Sequence, residues 1–334
     1  MKKIKFLNLG MHPITNSFLT KQNPKKEFFY NLKLIYHQKT KLISLDSFVP
    51  PKKMFNNKYA HRASASLTMC EAYENLSMKI KKEFNPKSIL EIGSNDGVFI
   101  KHFSKIKNIG VEPCKNLAEI TSKMKIKTYD KFWTKQLSNT ISKKHGKFDV
   151  IYSANTISHI HNLEETFKSI ENSLSINGVF ILEDPSLLKS LQKISYDQFY
   201  DEHAYVFSIT ALKNINKNTG LEIFNIEQLK THGGSNRVYF KKVSNKHIKV
   251  SKKVNKNLLN EKKFGINNLE TYKIFAKKVK ASKKNLVKIF QILKKNKNKI
   301  IGYGATYKSS TVLNFCKINK NYIDYFVDTT QTKA

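Results

Sequence analysis

The residue types best suited to chemistry lie between Glu91 and Gly97, where two carboxylates and two glycines occur in one short segment, E-I-G-S-N-D-G. Glycine lets backbone N–H groups approach a ligand closely. Glu91 and Asp96 would lie at the carboxyl end of a strand, where doubly wound folds bind their ligands. A dinucleotide site would need G-x-G-x-x-G and an open helix N-terminus for the pyrophosphate. This acidic turn would repel phosphate, so it predicts a cationic, amine-bearing cofactor.

The neighbouring residues predict how this turn is held. The apolar residues of 88–92 predict a buried strand that breaks at Gly93. After the turn, Val98, Phe99 and Phe103 predict the first apolar face of a helix. A strand, a glycine-bounded turn and a helix in this order are typical of the opening of a doubly wound α/β fold.

A further carboxylate, Glu112, ends the predicted second strand at residues 109–112. It follows the turn by about 20 residues, the position at which a Rossmann-like fold holds ribose hydroxyls. The alternative is a solvated loop residue with no ligand. Strands are also predicted at residues 148–155 and 178–183, with a helix around 163–174. This alternation predicts a parallel sheet.

The length and the cysteines set the class of protein. The chain has 334 residues, which predicts two or three domains. Cys70, Cys114 and Cys316 lie far apart without a C-x-x-C pair, which argues against a disulfide framework or a metal cluster and fits a reducing cytoplasm. The first ten residues lack the apolar core of a signal peptide, and no apolar run approaches the ~18 residues of a membrane helix. We therefore expect a soluble cytoplasmic protein without a membrane partner.

The net charge of +35 would by itself suggest a nucleic-acid or anionic-membrane partner. The lysines are scattered through every segment, however, and the chain has only two arginines, Arg62 and Arg237. Arginine is the usual residue for bidentate recognition of phosphates and guanine edges. We therefore predict no dedicated nucleic-acid role, although the charge would favour a diphosphate-bearing substrate.

The regions on either side of the central α/β pattern differ from it. Before it, the sequence predicts short strands at 28–36 and 41–45, a break at Pro50-Pro51 and an amphipathic helix from about Ser66 to Lys82. After it, residues 247–298 predict one or two amphipathic helices with a lysine-rich solvated face. A second strand and glycine turn follow at 299–305, with a helix around 308–316 and a strand at 323–328.

Four motifs in this order and spacing resemble the S-adenosylmethionine (SAM)-dependent sugar C-methyltransferases, which act on nucleotide-linked ketodeoxysugars. They are E-I-G-S-N-D-G at 91–97, Y-D-E-H at 200–203, H-G-G-S-N-R at 232–237 and G-Y-G-A-T-Y-K at 302–308. The resemblance implies an α/β protein with a central Rossmann-like SAM domain at 83–243. It also implies a small substrate-capping domain at 1–82 and a shortened, partly Rossmann-like substrate-binding domain at 244–334.

Two features depart from this family. Its N-terminal domain carries a structural zinc bound by two cysteine pairs, but residues 36–40 take the place of the second pair and the first pair would lie before Met1. His37 alone cannot close a tetrahedral site, so we predict no zinc. The C-terminal domain also ends short of the family's usual extent, which would fit either a trimmed homologue or a fragment.

The resemblance assigns catalytic roles to one cluster. Methyl transfer to carbon needs a carbanion equivalent, so a base must remove a proton next to a ketone and the enolate must be stabilised. His203 matches the family's general base. Glu202 would fix its environment and tautomer, and Tyr200 would donate to the enolate oxygen. The alternative is a polar and aromatic cluster at a strand end without a catalytic role.

The remaining assignments are also implied by the resemblance. His159 matches an active-site histidine, with His161 as the competing candidate, and a solvated loop is the alternative for both. Tyr59 would close over the substrate, or would simply pack between domains. The expected cofactor-binding residues are Glu91, Gly93, Asn95, Asp96, Gly97, Glu112 and Asn155.

The predicted substrate-binding residues are Tyr59, His232, Arg237 and Lys308. Arg237 could bind a diphosphate or form a salt bridge, and its motif could also be a structural turn. The predicted partner is a nucleotide-sugar, and the protein is expected to be a monomer or a weak oligomer. SAM-dependent methylation of oxygen or nitrogen, and a basic binding homologue without catalysis, stay open as alternatives.

Overall fold

The structure is a computed structural model that describes residues 2–17 and 27–329. Residues 1, 18–26 and 330–334 of the predicted terminal domains lie outside the described residues. The strands are β1 Lys3–Pro13, β2 Phe29–His37, β3 Ile43–Leu45, β4 Ser88–Ile92, β5 Lys107–Val111, β6 Lys127–Tyr129, β7 Phe148–Ala154, β8 Leu174–Pro185, β9 Tyr205–Val206, β10 Leu221–Leu229, β11 Ser235–Lys242, β12 Ile301–Tyr303 and β13 Tyr325–Val327. The α-helices are α1 Pro51–Met54, α2 Leu67–Phe84, α3 Lys115–Lys123, α4 Lys135–His145, α5 Leu163–Ser173, α6 Leu187–Lys193, α7 Ile209–Ile215, α8 Lys252–Phe264, α9 Leu269–Lys295 and α10 Tyr307–Cys316.

A seven-stranded sheet forms the centre, in the order β10-β11-β8-β7-β4-β5-β6. The chain runs outward from β4 to β6 and then returns to β7 on the other side of β4, so the topological switch lies between β4 and β7. Ligands of such folds bind at the carboxyl ends of the strands beside this switch. The predicted α/β fold is confirmed. The predicted parallel sheet is confirmed for the four predicted strands, which are β4, β5, β7 and β8. Strand β6 extends this part in parallel, and β11, which was not predicted, pairs antiparallel with β8 and β10.

Alternation along the strands supplies two apolar faces. In β4, Ile89 belongs to the same core as Ile80 of α2. Its neighbour Leu90 faces the other side and shares a core with Ile141 of α4 and Phe167 of α5. Because successive side chains point to opposite faces of a strand, helices on both sides bury the sheet and fix the position of its ends.

The helix predicted after the glycine turn is wrong in length, because the structure has a single 3-10 turn at Ile100–Phe103. Phe99 and Phe103 are both buried, and the ring of Phe99 lies 4.1 Å from that of Tyr152. These two rings pack against the sheet. Because β5 begins at Lys107, only a few residues remain after Phe103, too few for further helical turns.

A four-stranded N-terminal sheet has the order β1-β2-β3-β9. The predicted strands at 28–36 and 41–45 are confirmed as β2 and β3, whereas β1 was not predicted. Strand β9 comes from the region after the central sheet's β8 and pairs with β3 through Ile43 and Val206. This pairing brings residues 200–203, just before β9, against the N-terminal segment.

The C-terminal region contains the two predicted helices, α8 and α9, and then β12, α10 and β13. Tyr272, Phe275 and Val279 bury one face of α9 in a core shared with the N-terminal sheet. The parallel pair β12–β13 confirms the predicted second strand–turn–helix unit. Helix α10 packs against β1, and Thr311 donates to the carbonyl oxygen of Phe199 at 3.2 Å. In the described residues, no helix is long and apolar enough to cross a membrane.

Candidate active site

A cavity of about 580 Å³ lies at the carboxyl ends of β4 and β7. Its wall combines the central sheet, the N-terminal region and α10. It contains most of the residues that the sequence singled out: Tyr59, Glu91, Gly93, Asn95, Glu112, Asn155, His159, His161, Tyr200, Glu202, His203 and His232. Asp96, Gly97, Arg237 and Lys308 do not belong to this wall.

Two of these outlying residues support the wall from behind. Asp96 accepts hydrogen bonds from the backbone N–H of Ser64 at 3.2 Å and from its hydroxyl at 2.5 Å. Gly97 has φ +80°, and a Cβ there would lie 2.8 Å from the side chain of Thr121. Asp96 therefore fixes a neighbouring segment on the turn, and Gly97 allows a conformation and a close approach that other residues would disfavour.

Arg237 is a salt-bridge residue, and its assignment to substrate is corrected. It lies on β11, where its Nε donates to Glu183 at 2.6 Å and its Nη1 donates to Glu227 at 2.9 Å. Its side chain is only 10% exposed. Its guanidinium is therefore paired with carboxylates of the sheet and does not face a ligand in the cavity.

The cofactor side of the cavity is acidic and is held by backbone groups. Glu112 accepts from the N–H of Asn95 and from the N–H of Cys114, both at 2.9 Å. The Oε2 atom of Glu91 is buried and has no hydrogen-bond partner in the described part of the chain. Burial raises the pKa of Glu91 well above its usual value, and the pKa of Glu112 is also raised by burial. A bound cation would favour the ionised form of these carboxyl groups and so offset the cost of desolvation.

The turn brings the ends of β4 and β7 very close together. Gly93 has φ +77°, and a Cβ there would lie 2.0 Å from the hydroxyl of Thr156. Asn95 and Asn155 both have φ 48°, in the left-handed region that asparagine tolerates better than most residues. The side chain of Asn95 accepts from the N–H of Ala63 at 2.9 Å, so it closes the cavity's edge in addition to lining it.

These residues fit SAM by their chemistry. The cofactor carries a positive amine and a positive sulfonium, and the orphaned Oε2 of Glu91 is an unused acceptor for an N–H donor. Glu112, with both oxygens oriented by backbone N–H groups, is placed to accept from hydroxyls. Glycine at position 93 leaves room for the side chain of Thr156, so the carboxyl ends of β4 and β7 can meet at the cavity.

The base side of the cavity is a buried loop at residues 198–204. Nδ1 of His203 lies 2.7 Å from the carbonyl oxygen of Gln198. Because a carbonyl only accepts, Nδ1 carries the proton, and Nε2 accepts from the hydroxyl of Tyr200 at 3.0 Å. Burial lowers the pKa of His203 to about 3, so the ring is neutral near pH 7. The carbonyl of Gln198, not Glu202 as predicted, fixes the tautomer.

Glu202 faces the N-terminal region instead. Its Oε1 accepts from the amide of Asn16 at 2.6 Å, and its Oε2 accepts from the hydroxyl of Tyr59 at 3.0 Å. Burial, followed by the neighbouring charge of Asp201, raises the pKa of Glu202 to about 8. Tyr59 thus contacts the base loop directly.

The structure brings His159 to the base and leaves His161 further along the wall. The ring of His159 lies 5.5 Å from that of Phe55 and 5.4 Å from that of His203. Its Nε2 is buried without a partner among the described residues, and burial lowers its pKa well below the usual value. His161 instead stacks on Phe48 with centroids 4.5 Å apart.

His232 lies at the opposite edge, with its Nε2 3.5 Å from the side-chain nitrogen of Asn155. Burial, followed by the charge of Lys308, lowers the pKa of His232 to about 4. Lys308 is partly buried on α10, outside the wall, and burial lowers its own pKa. The charge of its ammonium nevertheless contributes to lowering the pKa of both His203 and His232.

The residues of the wall that the sequence analysis did not assign include Asn16, Gln198 and Tyr307. The ring of Tyr307 lies 4.7 Å from that of Tyr200. A signal existed for Tyr307, which lies in the motif at 302–308 beside the predicted Lys308. The backbone carbonyl of Gln198 gives no side-chain signal, and the partner of Asn16 is 186 positions away.

Residues 2–17 and 27–329 contain no group of three or more histidines, cysteines and acids that could hold a metal ion. Within the N-terminal sheet, Nε2 of His37 lies 2.7 Å from the hydroxyl of Ser44. The absence of zinc stays a prediction.

Comparison with known protein families gives three adjoining matches. Residues 59–226, half of the chain, match the model described as "Methyltransferase domain". The chain belongs to the methyltransferase-domain family. Residues 230–334 match "C-methyltransferase C-terminal domain", and residues 1–55 match "Putative zinc binding domain". The predicted membership of a methyltransferase family is confirmed.

Individual proteins are similar to this chain over different lengths. C-methyltransferase NovU of Streptomyces niveus is 26% identical over 247 residues, which are 73% of this chain and 59% of NovU. The match thus spans less than two thirds of that relative. Among solved structures, a SAM-dependent methyltransferase from Clostridium acetobutylicum has 17% identity and a TM-score of 0.42, covering 51% of this chain and 91% of that one. The magnesium protoporphyrin IX methyltransferase ChlM of Synechocystis, solved with SAM, has 11% identity and a TM-score of 0.38, covering 51% and 78%.

Proposed function

We propose that this protein is a SAM-dependent C-methyltransferase that acts on a nucleotide-linked ketodeoxysugar through a base-generated enolate. The observation that carries the proposal is the neutral His203, whose Nε2 faces the phenol of Tyr200 in the wall of a cavity with an acidic cofactor side. The match of residues 230–334 and the similarity to NovU support carbon as the methylated atom.

His203 is the proposed base. SAM, when bound, supplies the methyl group as an electrophile, so the protein must make a carbon nucleophile by removing a proton next to a ketone. The Gln198 carbonyl keeps the proton on Nδ1 and leaves the lone pair on Nε2. A base positioned in this way contributes about 10²–10⁴-fold to the rate.

Tyr200 would couple proton removal to enolate stabilisation. Its hydroxyl donates to Nε2 of His203 in the structure. If the same hydroxyl turns to a ketone oxygen of the substrate, Nε2 becomes free to accept the α-proton. The hydroxyl is then a donor at the atom where negative charge develops. Burial makes an imidazolium costly, and the adjacent enolate charge would offset part of that cost.

Other residues are proposed to bind the two ligands. Glu91 would hold the amine of SAM and Glu112 its ribose hydroxyls, with Gly93, Asn95 and Asn155 shaping the wall and Asp96 and Gly97 supporting it. On the substrate side, Tyr59, His159 and His232 would surround the sugar, with Lys308 near its diphosphate.

We also propose the division into an N-terminal capping domain at 1–82, a SAM domain at 83–243 and a C-terminal substrate domain at 244–334. We further propose a cytoplasmic location, which fits the free thiols of Cys70, Cys114 and Cys316, and a monomeric or weakly oligomeric state. The lysine-rich surface would attract the anionic nucleotide-sugar.

The test uses SAM with a ¹³C-labelled methyl group and a panel of ketodeoxysugar nucleotides. We expect a product whose mass rises by one methylene and whose ¹³C signal is that of a methyl on carbon. A methoxy or N-methyl signal would instead establish oxygen or nitrogen methylation. Calorimetry that detects binding of neither SAM nor any dTDP-sugar would establish a binding homologue without catalysis.

A further inference from the structure

Two consecutive residues near the N-terminus donate hydrogen bonds to two consecutive acidic residues of the base loop. Thr15 donates to Oδ1 of Asp201 from its backbone N–H at 3.2 Å and from its hydroxyl at 2.8 Å. Asn16 donates from its side-chain amide to Oε1 of Glu202 at 2.6 Å. The segment that follows β1 therefore contacts the loop that carries His203. Asn16 and Glu202 both line the cavity.

Glu202 is held at both oxygens. Asn16 donates to Oε1 and Tyr59 donates to Oε2, while the whole residue is only 3% exposed. An ionised carboxylate accepts hydrogen bonds and cannot donate them, so the nitrogen of the Asn16 amide must face it. Both donors favour the ionised form of a group that burial disfavours.

We propose that Asn16 is a positioning residue of the active site, whose amide holds the carboxyl group of Glu202 in one orientation at the cavity wall and favours its ionised form. The N-terminal segment therefore completes the site as well as covering it. The inference about catalysis rests on the proposed function, whereas the contact itself does not.

The electrostatic surroundings make this contact measurable. The titratable groups that face Glu202 are Asp201, Tyr30, Tyr59, Cys114, Tyr200 and Tyr307. Burial is the first cause that raises the pKa of each tyrosine and of the thiol, so these groups keep their protons between pH 5 and 9. Burial raises the pKa of Asp201 to about 6, which leaves Asp201 and Glu202 as the pair that changes charge in this range.

The charge of Glu202 matters for Tyr200. Besides burial and the neighbouring Tyr307, the carboxylate of Glu202 raises the pKa of Tyr200. Burial already keeps the Tyr200 hydroxyl protonated, and the charge of Glu202 raises the pKa of this hydroxyl further. The position of that charge therefore affects the phenol that is proposed to donate to the ketone oxygen. Loss of the Asn16 amide would raise the pKa of Glu202 further, because one of its two stabilising hydrogen bonds disappears.

The experiment compares Asn16→Leu with Asn8→Ala, a matched control on the exposed side of β1 whose side chain bonds only the backbone of Gly10 in the described structure. Glutamate labelled with ¹³C at the carboxyl carbon is followed by NMR against pH, and Glu202→Gln identifies the signal. We expect Asn16→Leu to move the Glu202 titration upward by about one unit or more, as expected for losing a hydrogen bond to a charged group. Asn8→Ala should leave it in place.

Turnover of the panel substrate is measured over the same pH range. In Asn16→Leu, we expect the rising limb of the pH profile of kcat to shift to higher pH together with the Glu202 titration. KM should change less than kcat. An unchanged titration in folded Asn16→Leu protein would overturn the proposal, and so would a shifted titration with an unshifted limb of kcat. If Asn16→Leu does not fold, Asn16→Ser is judged by the same criteria. Absence of methyl transfer by the unmodified protein would refute the proposed function, while the titration would still support or overturn the contact.

Discussion

The cofactor side and the base side of one cavity are built in different ways. On the cofactor side, Glu112 takes its hydrogen bonds from the backbone of Asn95 and Cys114, its close neighbours at the sheet edge. On the base side, Glu202 takes its hydrogen bonds from Asn16 and Tyr59, which are distant in sequence. The hydrogen bonds of Glu112 need only the edge of the central sheet, whereas those of Glu202 also need the N-terminal region to dock.

This difference separates binding from catalysis. The carboxylates of the cofactor side lie at strand ends, and helices on both faces of the sheet bury these strands. The base loop is held by β9, by the N-terminal residues and by α10, through Thr311 and the carbonyl of Phe199. We therefore expect changes on the cofactor side to weaken SAM binding, and changes on the base side to affect turnover while SAM binding persists.

The largest effect is expected at His203. His203→Ala or His203→Asn should lower kcat by about 10²–10⁴-fold, as for loss of a general base, with KM little changed. The measurement is steady-state turnover together with calorimetry of SAM and sugar-nucleotide binding.

Deuterium exchange at the substrate's α-carbon, measured without SAM, isolates the proton step. We expect the unmodified protein to incorporate deuterium and the His203 variants to lose this activity. Exchange at the unmodified rate in the variants would move the base elsewhere, with His159 the next candidate. A collapse of both binding affinities would instead make His203 a structural residue.

An intermediate effect is expected on the cofactor side. Glu112→Ala removes an acceptor at the wall and should weaken SAM binding by about 10–100-fold, the range for a hydrogen bond to a charged group. Asp96→Ala should also weaken binding, but less, because Asp96 acts through Ser64. Calorimetry with SAM measures both, and equal affinities of the two variants and the unmodified protein would contradict the proposed site.

A pH-dependent effect is expected on stability. The pKa of Glu202 is about 8 in the folded protein, above its ordinary value of 4.5, so the folded state holds an extra proton between these values. The contribution of Glu202 is therefore present at low pH and is lost as the pH rises through this window, by at most about 1.4 kcal/mol per pH unit. Glu202→Gln should flatten the decline, as measured by denaturant unfolding from pH 5 to 9. An identical slope in the variant would show that Glu202 titrates normally.

The smallest effect is expected for zinc. Residues 36–40, the expected place of the second cysteine pair, offer His37 without a cysteine, so we expect no stoichiometric metal and no loss of stability with a chelator. Elemental analysis of the purified protein is the measurement. One zinc per chain would contradict this prediction, and its ligands would then have to lie outside residues 36–40.

The sequence by itself determined the features that depend on near neighbours along the chain. The apolar run at 88–92, the glycines of the turn and the periodicity of α2 and α9 identified these elements, because burial alternates with the strand or helix period. Glu112 was found in the same way, since the carboxyl end of a strand next to β4 must meet the same edge of the sheet.

The tertiary structure alone decided the partners of the polar side chains. Arg237 could not be assigned from its motif, because the choice between a ligand and a salt bridge depends on Glu183 and Glu227 on other strands. The tautomer of His203 depends on a backbone carbonyl, and the place of Glu202 depends on Asn16, 186 positions away. Sequence periodicity records which face of an element is buried, but it does not record which distant group packing brings to a buried polar atom, and that group sets its pKa and its chemistry.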